Sequence, residues 1–444
     1  MRKKLYSLTA IVISGILVAG LLISTKTSAT VPGTNSAIDV NTSGGIPNSY
    51  AGSPAISQNG RYVAFQSAST NLVSTTTNGQ YQIYVRDRFS GTTTLASISS
   101  SGTVGNSYST QPRISSDGKY VVFTSNSSNL VSGDTNAKTD AFIHNMATGN
   151  TDLISKNVSG TISNGYTETP DITFDGRYVV FSSYATNLVT SPSVTSGNHI
   201  YLKDLSNGTV KLLSQSSTGS VANADSWNPR ISCEGRTVVF QSYANNLVSG
   251  DTNNPSLSKS RIYVEDLLNG IDPVYITGTG NDNMVYPSVS CNGNYVGFSS
   301  DASNLVSGDT NSSQDTFIFD RNTSTIERIS INSSSTQGND SSYGLPGISN
   351  DGRYVVFSSD ATNFASGDTN GVVDIFLRNR EAGTTELLSR NSGGTISNGN
   401  NSGADLSSDG RYATYASYSN NLVSGFSNTN TSIFTSQTGA SYDY

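Results

Sequence analysis

The amino-acid sequence predicts an all-β fold: a seven-bladed β-propeller of four-stranded antiparallel blades, with the last blade closed by the N-terminal strand. Three observations predict this fold. A phrase recurs seven times along the 444 residues, the apolar runs within each copy are short and bounded by turn residues, and the last copy lacks its final strand. Four to eight four-stranded sheets arranged around an axis bury the faces of such repeats.

An acidic or amide residue followed by glycine marks every copy. The seven dipeptides are Asn59-Gly60, Asp117-Gly118, Asp175-Gly176, Glu234-Gly235, Asn292-Gly293, Asp351-Gly352 and Asp409-Gly410. Subtraction places successive glycines 58, 58, 59, 58, 59 and 58 residues apart. Asn-Gly and Asp-Gly between apolar runs indicate a tight hairpin, because both central residues can adopt positive φ. Each copy therefore contains a hairpin between its first and second strands.

The apolar runs of each copy define four strands. In the second copy a short first strand (113–115) precedes a run around Tyr120 to Phe123, which is apolar on both faces and so predicts a strand packed between two sheets. Third strands follow at 82–85 and 316–319, and fourth strands at 94–97 and 386–389. Proline is tolerated at a strand start because it cannot donate to the ladder. We expect it to open six of the seven innermost strands, at Pro54, Pro112, Pro170, Pro229, Pro287 and Pro346.

The two ends of the chain predict how the ring closes. The seventh copy stops after its third strand (432–435), and residues 37–45 align with residues 386–394, which form a fourth strand and its exit loop. We expect the N-terminal strand to complete the seventh blade, because this pairing removes two exposed strand edges. Residues 30–444 are then one propeller domain.

The first 29 residues have the pattern of an export signal. A basic start (MRKK) precedes an apolar run, and Thr27-Ser28-Ala29 offers a small-residue cleavage site. An uncleaved membrane anchor is the alternative. No second apolar segment follows, so we expect no further membrane span and a periplasmic, cell-surface or secreted location. Only 13 % of the residues are charged and the formal net charge is −7, which argues against nucleic acid as a partner.

The recurring phrase [ST]-x-[DN]-G-[RK]-Y-V-x-F resembles the repeat of the TolB-type, WD40-like β-propellers of bacteria, and the resemblance covers the chain after the signal. It implies a propeller fold and, more weakly, a role in the cell envelope. The sequence lacks the Gly-His and Trp-Asp landmarks of true WD repeats. It also departs from TolB in its number of copies and in having no preceding α/β domain.

An Asp-x-Asn-x-x-x-Asp pattern is the first candidate site. It occurs three times, as Asp134, Asn136 and Asp140; as Asp309, Asn311 and Asp315; and as Asp368, Asn370 and Asp374. Oxygen ligands at positions 1, 3 and 7 of a tight loop suit calcium, which is the one candidate cofactor. The alternative is that the Asp and Asn side chains form turns with their own backbone.

The loop between the fourth and first strands is the second candidate site. Its aromatic and amide residues suit stacking and hydrogen bonding to a glycan or a peptide. The residues are Asn48, Tyr50, Asn106, Tyr108, Asn164, Tyr166, Asp225, Trp227, Tyr286 and Tyr343. We expect them to gather around the axis on one face. The alternative for most of the tyrosines is packing on a neighbouring blade, with the hydroxyl tying down the loop.

The two cysteines, Cys233 and Cys291, occupy the same position in adjacent copies, just before the Glu-Gly or Asn-Gly turn. Equivalent inner positions of neighbouring blades approach each other near the axis. An exported chain meets oxidising surroundings, so the pair is a disulfide candidate. Two free thiols are the alternative if their Cα atoms lie more than about 7 Å apart.

These observations favour an exported, non-catalytic binding or protein-interaction module whose partner is a protein or a glycan at the cell envelope. Two alternatives remain, a purely structural envelope component and a propeller enzyme such as a polysaccharide lyase or hydrolase. Only two histidines are present, and no nucleophile elbow or phosphate-binding loop is visible. We therefore assign no catalytic residue.

Overall fold

A computed structural model describes residues 33–250, 259–267, 271–276 and 280–440, without the side chains of 271–273. The export signal predicted at residues 1–29 lies outside the described residues. The described chain forms seven antiparallel sheets of four strands each, and therefore the predicted seven-bladed propeller. Among these residues there is no helix that is long and apolar enough to cross a membrane.

The first three blades each contain four consecutive strands. Blade 1 has β2 (Ala51–Ile56), β3 (Tyr62–Ser67), β4 (Gln82–Asp87) and β5 (Thr92–Leu95). Blade 2 has β6 (Ser109–Ile114), β7 (Tyr120–Ser125), β8 (Asp140–Asn145) and β9 (Thr151–Leu153). Blade 3 has β10 (Thr167–Ile172), β11 (Tyr178–Ser183), β12 (His199–Asp204) and β13 (Val210–Leu212).

The other four blades follow the same order, except that the last one borrows a strand. Blade 4 has β14 (Ser226–Ile231), β15 (Thr237–Ser242), β16 (Arg261–Asp266) and β17 (Ile271–Tyr275); blade 5 has β18 (Met284–Val289), β19 (Tyr295–Ser300), β20 (Asp315–Asp320) and β21 (Thr325–Arg328). Blade 6 has β22 (Ser342–Ile348), β23 (Tyr354–Ser359), β24 (Asp374–Asn379) and β25 (Thr384–Leu387). Blade 7 has β26 (Asn401–Leu406), β27 (Tyr412–Ser417) and β28 (Ser432–Gln437), and β1 (Asn35–Ala37) pairs with β28.

The second strand of each blade packs between two neighbouring sheets, as its apolar faces predicted. In β7 the side chains of Val121, Val122 and Phe123 are all fully buried. Val121 and Phe123 face one hydrophobic cluster and Val122 faces another. The core is therefore a series of layers between blades, and burial of these faces is the main favourable contribution to folding.

The innermost strands are longer than predicted, and the proline lies within them. In β6 the pairing with β7 is interrupted between Thr110 and Arg113, and Pro112 sits in that β-bulge rather than at the start of the strand. A bulge leaves a residue out of the ladder, so a proline there sacrifices no hydrogen bond. The residue before the proline has positive φ in five blades, at Ser53, Gln111, Thr169, Asn228 and Tyr286.

The glycine turns explain why the central phrase recurs. The hairpins form as predicted, but only the glycine has positive φ, 74° for Gly118, while Asp117 accepts bonds from the Ser115 hydroxyl and the Lys119 amide. The turn is thus not the two-residue type that we expected. A Cβ at Gly118 would lie 2.1 Å from the ring of Tyr62 in the preceding blade. Six of the seven turn glycines lie against the tyrosine ring of the preceding blade in this way, whereas Gly293 lies against Thr237, which replaces the tyrosine in blade 4. Glycine and tyrosine therefore recur together in most copies.

The N-terminal strand completes blade 7, as predicted, but in a register shifted by one residue. Ala37 pairs with Phe434 just as Leu387 pairs with Phe376 in blade 6. The alignment of Ala37 with Glu386 is therefore wrong, and Ile38 takes the place of Leu388. A shift of one residue exchanges the two faces of a strand, and this register buries Ile38 and brings the amide of Ile38 to the carbonyl of Ile433.

Candidate functional site

Strand direction assigns the loops to two faces. Because the strands alternate in direction, the loops between fourth and first strands share one face with the loops between second and third strands. We call it the axial face. Both candidate sites from the sequence, the Asn/Tyr loops and the Asp-x-Asn loops, lie on this face. The glycine turns and both cysteines lie on the opposite face.

The asparagines of the axial face hold the blade together. In blade 1 the Asn48 amide donates to the Thr70 hydroxyl at 2.8 Å and accepts from the Thr70 backbone amide at 2.9 Å. Asn106 binds Ser128 and Asn164 binds Thr186 in the same way. These amides already have partners within the protein, so Asn48, Asn106 and Asn164 have an evident structural role. Ligand binding by them stays a prediction.

The tyrosines two residues further on have a different environment. Tyr50, Tyr108 and Tyr166 are 46 %, 42 % and 47 % exposed. Their hydroxyls make no hydrogen bond within the described residues, so the expected tie between hydroxyl and loop is absent there. Lys138 places its ammonium group 4.7 Å from the ring centre of Tyr166. Three adjacent blades therefore present exposed aromatic rings on the axial face.

The equivalent position in later blades is structural. Asp225 accepts a hydrogen bond from the backbone amide of Asn198 in blade 3, at 2.8 Å. In the same manner, Asn283 accepts a hydrogen bond from the backbone amide of Ser260, and Asn400 accepts one from that of Val373. In these blades a short Asp or Asn side chain therefore links its own blade to the preceding blade by a hydrogen bond. The first three blades have a tyrosine at this position and lack that tie.

Two further exposed tyrosines extend the aromatic surface. Tyr184 and Tyr418 immediately follow the second strands of blades 3 and 7 and are 40 % and 55 % exposed. Blades 7, 1, 2 and 3 are consecutive around the ring. We call Tyr418, Tyr50, Tyr108, Tyr166 and Tyr184 the tyrosine arc. Tyr184 and Tyr418 were not predicted from the sequence, although both follow the recurring second strand directly.

Three predicted aromatic residues lie in innermost strands rather than in loops. Trp227 is in β14, Tyr286 in β18 and Tyr343 in β22. The Trp227 ring packs edge-on against Tyr243 with the ring centres 5.4 Å apart. Burial and the neighbouring Asp360 raise the pKa of Tyr343 to about 12. Only Tyr286 of these three is as exposed as the members of the tyrosine arc.

A ring of seven residues that was not predicted from the sequence lines the axial channel. Each residue follows the bulge proline, or Ala404 in blade 7, which lacks that proline: Ala55, Arg113, Asp171, Arg230, Ser288, Gly347 and Asp405. These residues border a cavity of about 130 Å³, and the bulge residues border a second one of about 240 Å³. The sequence signal for this ring was a single repeat position that is charged in some copies and small in others.

The charges in the channel are two arginines and two aspartates. Each aspartate also forms a hydrogen bond to the next blade. Asp171 accepts this bond from the backbone amide of Ile231, and Asp405 accepts it from the backbone amide of Ile56. Arg113 lies 3.9 Å from Asp405, whereas the Nε of Arg230 has no hydrogen-bond partner among the described residues. Enclosure and the nearby Arg113 lower the pKa of Arg230 to about 9. The guanidinium still faces the open channel and stays charged at neutral pH.

The Asp-x-Asn loops each place one aspartate in a buried polar network. Asp140 accepts bonds from Ser155, Ser163 and Asn136, and Asp374 accepts bonds from Ser389, Ser397 and Asn370. The asparagine at position 3 therefore points its nitrogen at the aspartate. In blade 5, Asn311 instead donates to the carbonyl of Gly338. The asparagines position the loops, which fits the turn alternative for that residue.

The histidines and cysteines have structural environments. His144 is buried, bonded to Thr151, and its burial lowers its pKa to about 4; burial also lowers the pKa of His199. No group of three or more His, Cys, Asp or Glu side chains among the described residues could hold a metal ion. Cys233 and Cys291 form the predicted disulfide, with their Cα atoms 4.6 Å apart.

No protein-family model matches the chain, and no curated protein matches its sequence. TolB from Acinetobacter baumannii matches with 16 % identity and a TM-score of 0.41, over 77 % of this chain and 64 % of TolB. The chain thus spans less than two thirds of that protein. The propeller fold that the resemblance implied is confirmed by the seven four-stranded sheets themselves.

Two solved lyases share the fold over nearly the whole chain. An oligogalacturonate lyase from Vibrio parahaemolyticus matches with 10 % identity and a TM-score of 0.53, over 92 % of this chain and 98 % of the lyase. An oligogalacturonate lyase in complex with manganese matches with 11 % identity and a TM-score of 0.54, over the same shares. At such identities the similarity is one of fold alone.

Proposed function

We propose that this protein is an exported, non-catalytic binding module that recognises a glycan at the cell envelope or outside the cell. The tyrosine arc is the observation that carries the proposal. Its five rings are at least 40 % exposed and lie on one face, in four consecutive blades. Packing does not require them, because later blades use acceptors such as Asp225 or Asn283 at the position of Tyr50.

The chemistry of the axial face fits a sugar chain better than a charged ligand. Tyrosine rings offer flat apolar surfaces with a hydroxyl at the edge, which suits the apolar face and hydroxyl groups of a sugar ring. The residues between them are mostly Ser, Thr and Asn. A protein partner remains the other outcome of the test, since aromatic side chains also dominate protein interfaces.

Export is supported by two independent features. The N-terminal 29 residues have the composition of a signal segment, and the disulfide between Cys233 and Cys291 is of a kind that persists in oxidising compartments. A ligand outside the cytoplasm is therefore part of the proposal.

The proposal is tested by screening the purified mature chain on a glycan array and measuring the best ligand by calorimetry. A Tyr50→Ala, Tyr108→Ala, Tyr166→Ala triple variant should weaken binding at least tenfold, because each lost stacking contact removes about 0.5–1.5 kcal/mol. The three side chains are exposed, so we expect the melting temperature to stay close to that of the unaltered protein. A Trp227→Ala variant tests the adjoining blade.

Phe89→Ala is the matched control. Phe89 is 88 % exposed but lies in the turn between β4 and β5, on the face opposite the arc. Glycan binding should be unchanged by this substitution. If no glycan binds, or if Phe89→Ala weakens binding as much as the triple variant, the proposal is wrong. Retention of a protein instead of a glycan, sensitive to the triple variant, would assign the arc to a protein interface.

A polysaccharide lyase is the second candidate, favoured by the channel ring. Arg113 and Arg230 could bind the carboxylate of an acidic sugar, and Asp171 or Asp405 lies beside them. Incubation with an acidic polysaccharide would produce unsaturated ends with ultraviolet absorbance if this function held. An absorbance increase that Arg230→Gln abolishes would establish catalysis in place of simple binding.

A further inference from the structure

Buried carboxylates in the Asp-x-Asn loops occur in pairs. Blades 2, 5 and 6 have aspartate at both position 1 and position 7 of the loop, whereas blade 1 has Thr76 with Gln82 and blade 7 has Phe426 with Ser432. Two ionised carboxylates that face each other away from water repel one another unless a cation lies between them. The paired occurrence suggests that something positive compensates each pair.

In blade 5 the protein supplies that cation itself. Arg328, the last residue of β21, is buried and places one guanidinium nitrogen 3.6 Å from Asp309 and 3.2 Å from Asp315. The same nitrogen donates to the side chain of Gln337 at 2.6 Å. Blade 5 therefore shows that a positive charge can lie between positions 1 and 7 of this loop.

Blades 2 and 6 have no such side chain. Strand pairing places Leu153 and Leu387 where blade 5 has Arg328, because each pairs with the aromatic residue two positions after the second aspartate. In blade 6, Asp368 is only 6 % exposed and its Oδ1 has no hydrogen-bond partner in the described part of the chain. An unpartnered, buried carboxylate oxygen lacks the compensation that Arg328 provides in blade 5.

The two blades surround their aspartates alike. Asp134 and Asp368 are both buried, at 9 % and 6 % exposure. The second aspartate of each loop, Asp140 or Asp374, accepts hydrogen bonds from two serines and from the asparagine at position 3. A divalent cation bound between the two carboxylates would compensate their like charges.

We propose that blades 2 and 6 each bind one calcium ion, held by the carboxylates of Asp134 and Asp140 in blade 2 and of Asp368 and Asp374 in blade 6. Calcium takes oxygen ligands in a flexible arrangement, and water completes what two carboxylates leave open. Asn136 and Asn370 hold the second aspartate in place. The proposal does not extend to Asp309, Asn311 and Asp315, because Arg328 already neutralises that loop.

Open grooves lie beside both loops. One is lined by Gly133, Asn136 and Leu153 and the other by Gly367 and Leu387, with volumes of about 1400 and 1090 Å³. The glycine that precedes the first aspartate of each loop therefore borders solvent.

The test is a count of bound calcium on the chelator-treated, purified chain by equilibrium dialysis and calorimetry. We expect two ions per chain and a higher melting temperature in calcium, because an ion that binds only the folded state stabilises it. Asp134→Asn and Asp368→Asn should each reduce the count from two to one. Asp309→Asn is the matched control and should leave the count at two.

A second variant, Leu387→Arg with Ile396→Gln, reproduces the blade 5 arrangement in blade 6, since Ile396 occupies the position of Gln337. We expect it to bind one ion and to keep its melting temperature in chelator. The proposal is overturned if the unaltered protein binds no calcium at millimolar concentration. It is equally overturned if Asp309→Asn reduces the count as Asp368→Asn does.

Discussion

Two places in the ring are held together in different ways. We call them the closure seam, where β1 completes blade 7, and the disulfide seam, where blade 4 meets blade 5. At blade 7 the chain ends meet, and β1 joins the sheet through backbone pairing and buried side chains such as Ile38. Asn35 reinforces this seam by donating to the carbonyls of Leu388 and Arg390 in blade 6 and accepting from Tyr415 in blade 7. Between blades 4 and 5 the disulfide Cys233–Cys291 provides a covalent link instead.

The difference shows what each seam needs. Where the chain runs on from one blade to the next, a covalent connection already exists, so the disulfide adds to a continuous chain. At blade 7 only non-covalent contacts prevent the ring from opening. We therefore expect the closure seam to be indispensable and the disulfide seam to be a contributor.

Deletion of residues 30–45 should cause the largest loss of stability among the changes that test these two seams. Without β1, β28 still pairs with β27 but its outer edge is left unpaired, and Asn35 no longer links blades 6 and 7. We expect aggregation or a loss of cooperative unfolding, measured by size-exclusion chromatography and thermal melting, because an exposed edge pairs with other chains. A truncated chain that stays monomeric with an unchanged melting temperature would contradict this account of closure.

Removal of the disulfide should have a smaller effect. The Cys233→Ser, Cys291→Ser variant opens a loop of 58 residues, which corresponds to roughly 4 kcal/mol of unfolding free energy if loop-closure entropy dominates. We expect a folded monomer with a lower midpoint in denaturant. Reductant should lower the midpoint of the unaltered protein and leave that of the variant unchanged; an equal midpoint for both oxidised proteins would refute the contribution.

The closure seam also contains a buried carboxylic acid, Asp39, which should make the stability of the protein depend on pH. In blade 6, Asp374 lies on the third strand and Ser389 follows the fourth; in blade 7 these residue types are exchanged, with Ser432 on the third strand and Asp39 after β1. Asp39 is fully buried, and neither of its carboxylate oxygens has a hydrogen-bond partner among the described residues. Burial therefore raises the pKa of Asp39 from 3.8 to about 7.

The sign of the effect follows from this rise. The folded state holds the Asp39 proton more tightly than the unfolded state, so the stabilisation is complete below pH 3.8 and is lost as the pH rises to about 7. Asp39→Asn should therefore unfold at higher temperature than the unaltered protein at pH 8 and at the same temperature near pH 4. The difference is at most about 4 kcal/mol.

Asp204→Asn is a control of opposite sign. The guanidinium of Arg177 lowers the pKa of Asp204 to about 2, so this ion pair stabilises the fold above pH 4 and the variant should be less stable at pH 8. If Asp39→Asn destabilises the protein at pH 8 as Asp204→Asn does, Asp39 is not held in its protonated form.

Local signals in the sequence were sufficient for much of the architecture. The Asp-Gly spacing, the apolar second strand around Val122 and the missing seventh fourth strand led to seven blades and their closure. The disulfide was a candidate because equal repeat positions meet near the axis, and the Cα separation of 4.6 Å decided between it and two free thiols. Errors arose where several geometries share one pattern. A proline such as Pro112 can open a strand or sit in a bulge, and Asp117-Gly118 fits more than one turn.

The candidate sites were only partly predictable. Aromatic residues such as Tyr50 and Tyr108 were found because they stand out in a repeated loop. The channel ring of Arg113 and Arg230 was missed, because nothing local distinguishes an inward-facing arginine from an exposed one. The three Asp-x-Asn loops look equivalent in sequence, and Arg328, 13 residues beyond Asp315 in the chain, separates blade 5 from the other two only after the sheet is folded.

The number of blades, the strands within each one and the closing strand were predictable from the amino-acid sequence. These depend on period, on short-range turn chemistry and on burial patterns, which are properties of neighbouring residues. The register of β1, the formation of the disulfide, the packing of Tyr62 on Gly118, the exposure of the tyrosine arc and the cation within blade 5 emerged from the folded ring. These depend on which side chains from distant copies come into contact, and that is set by the closed ring as a whole.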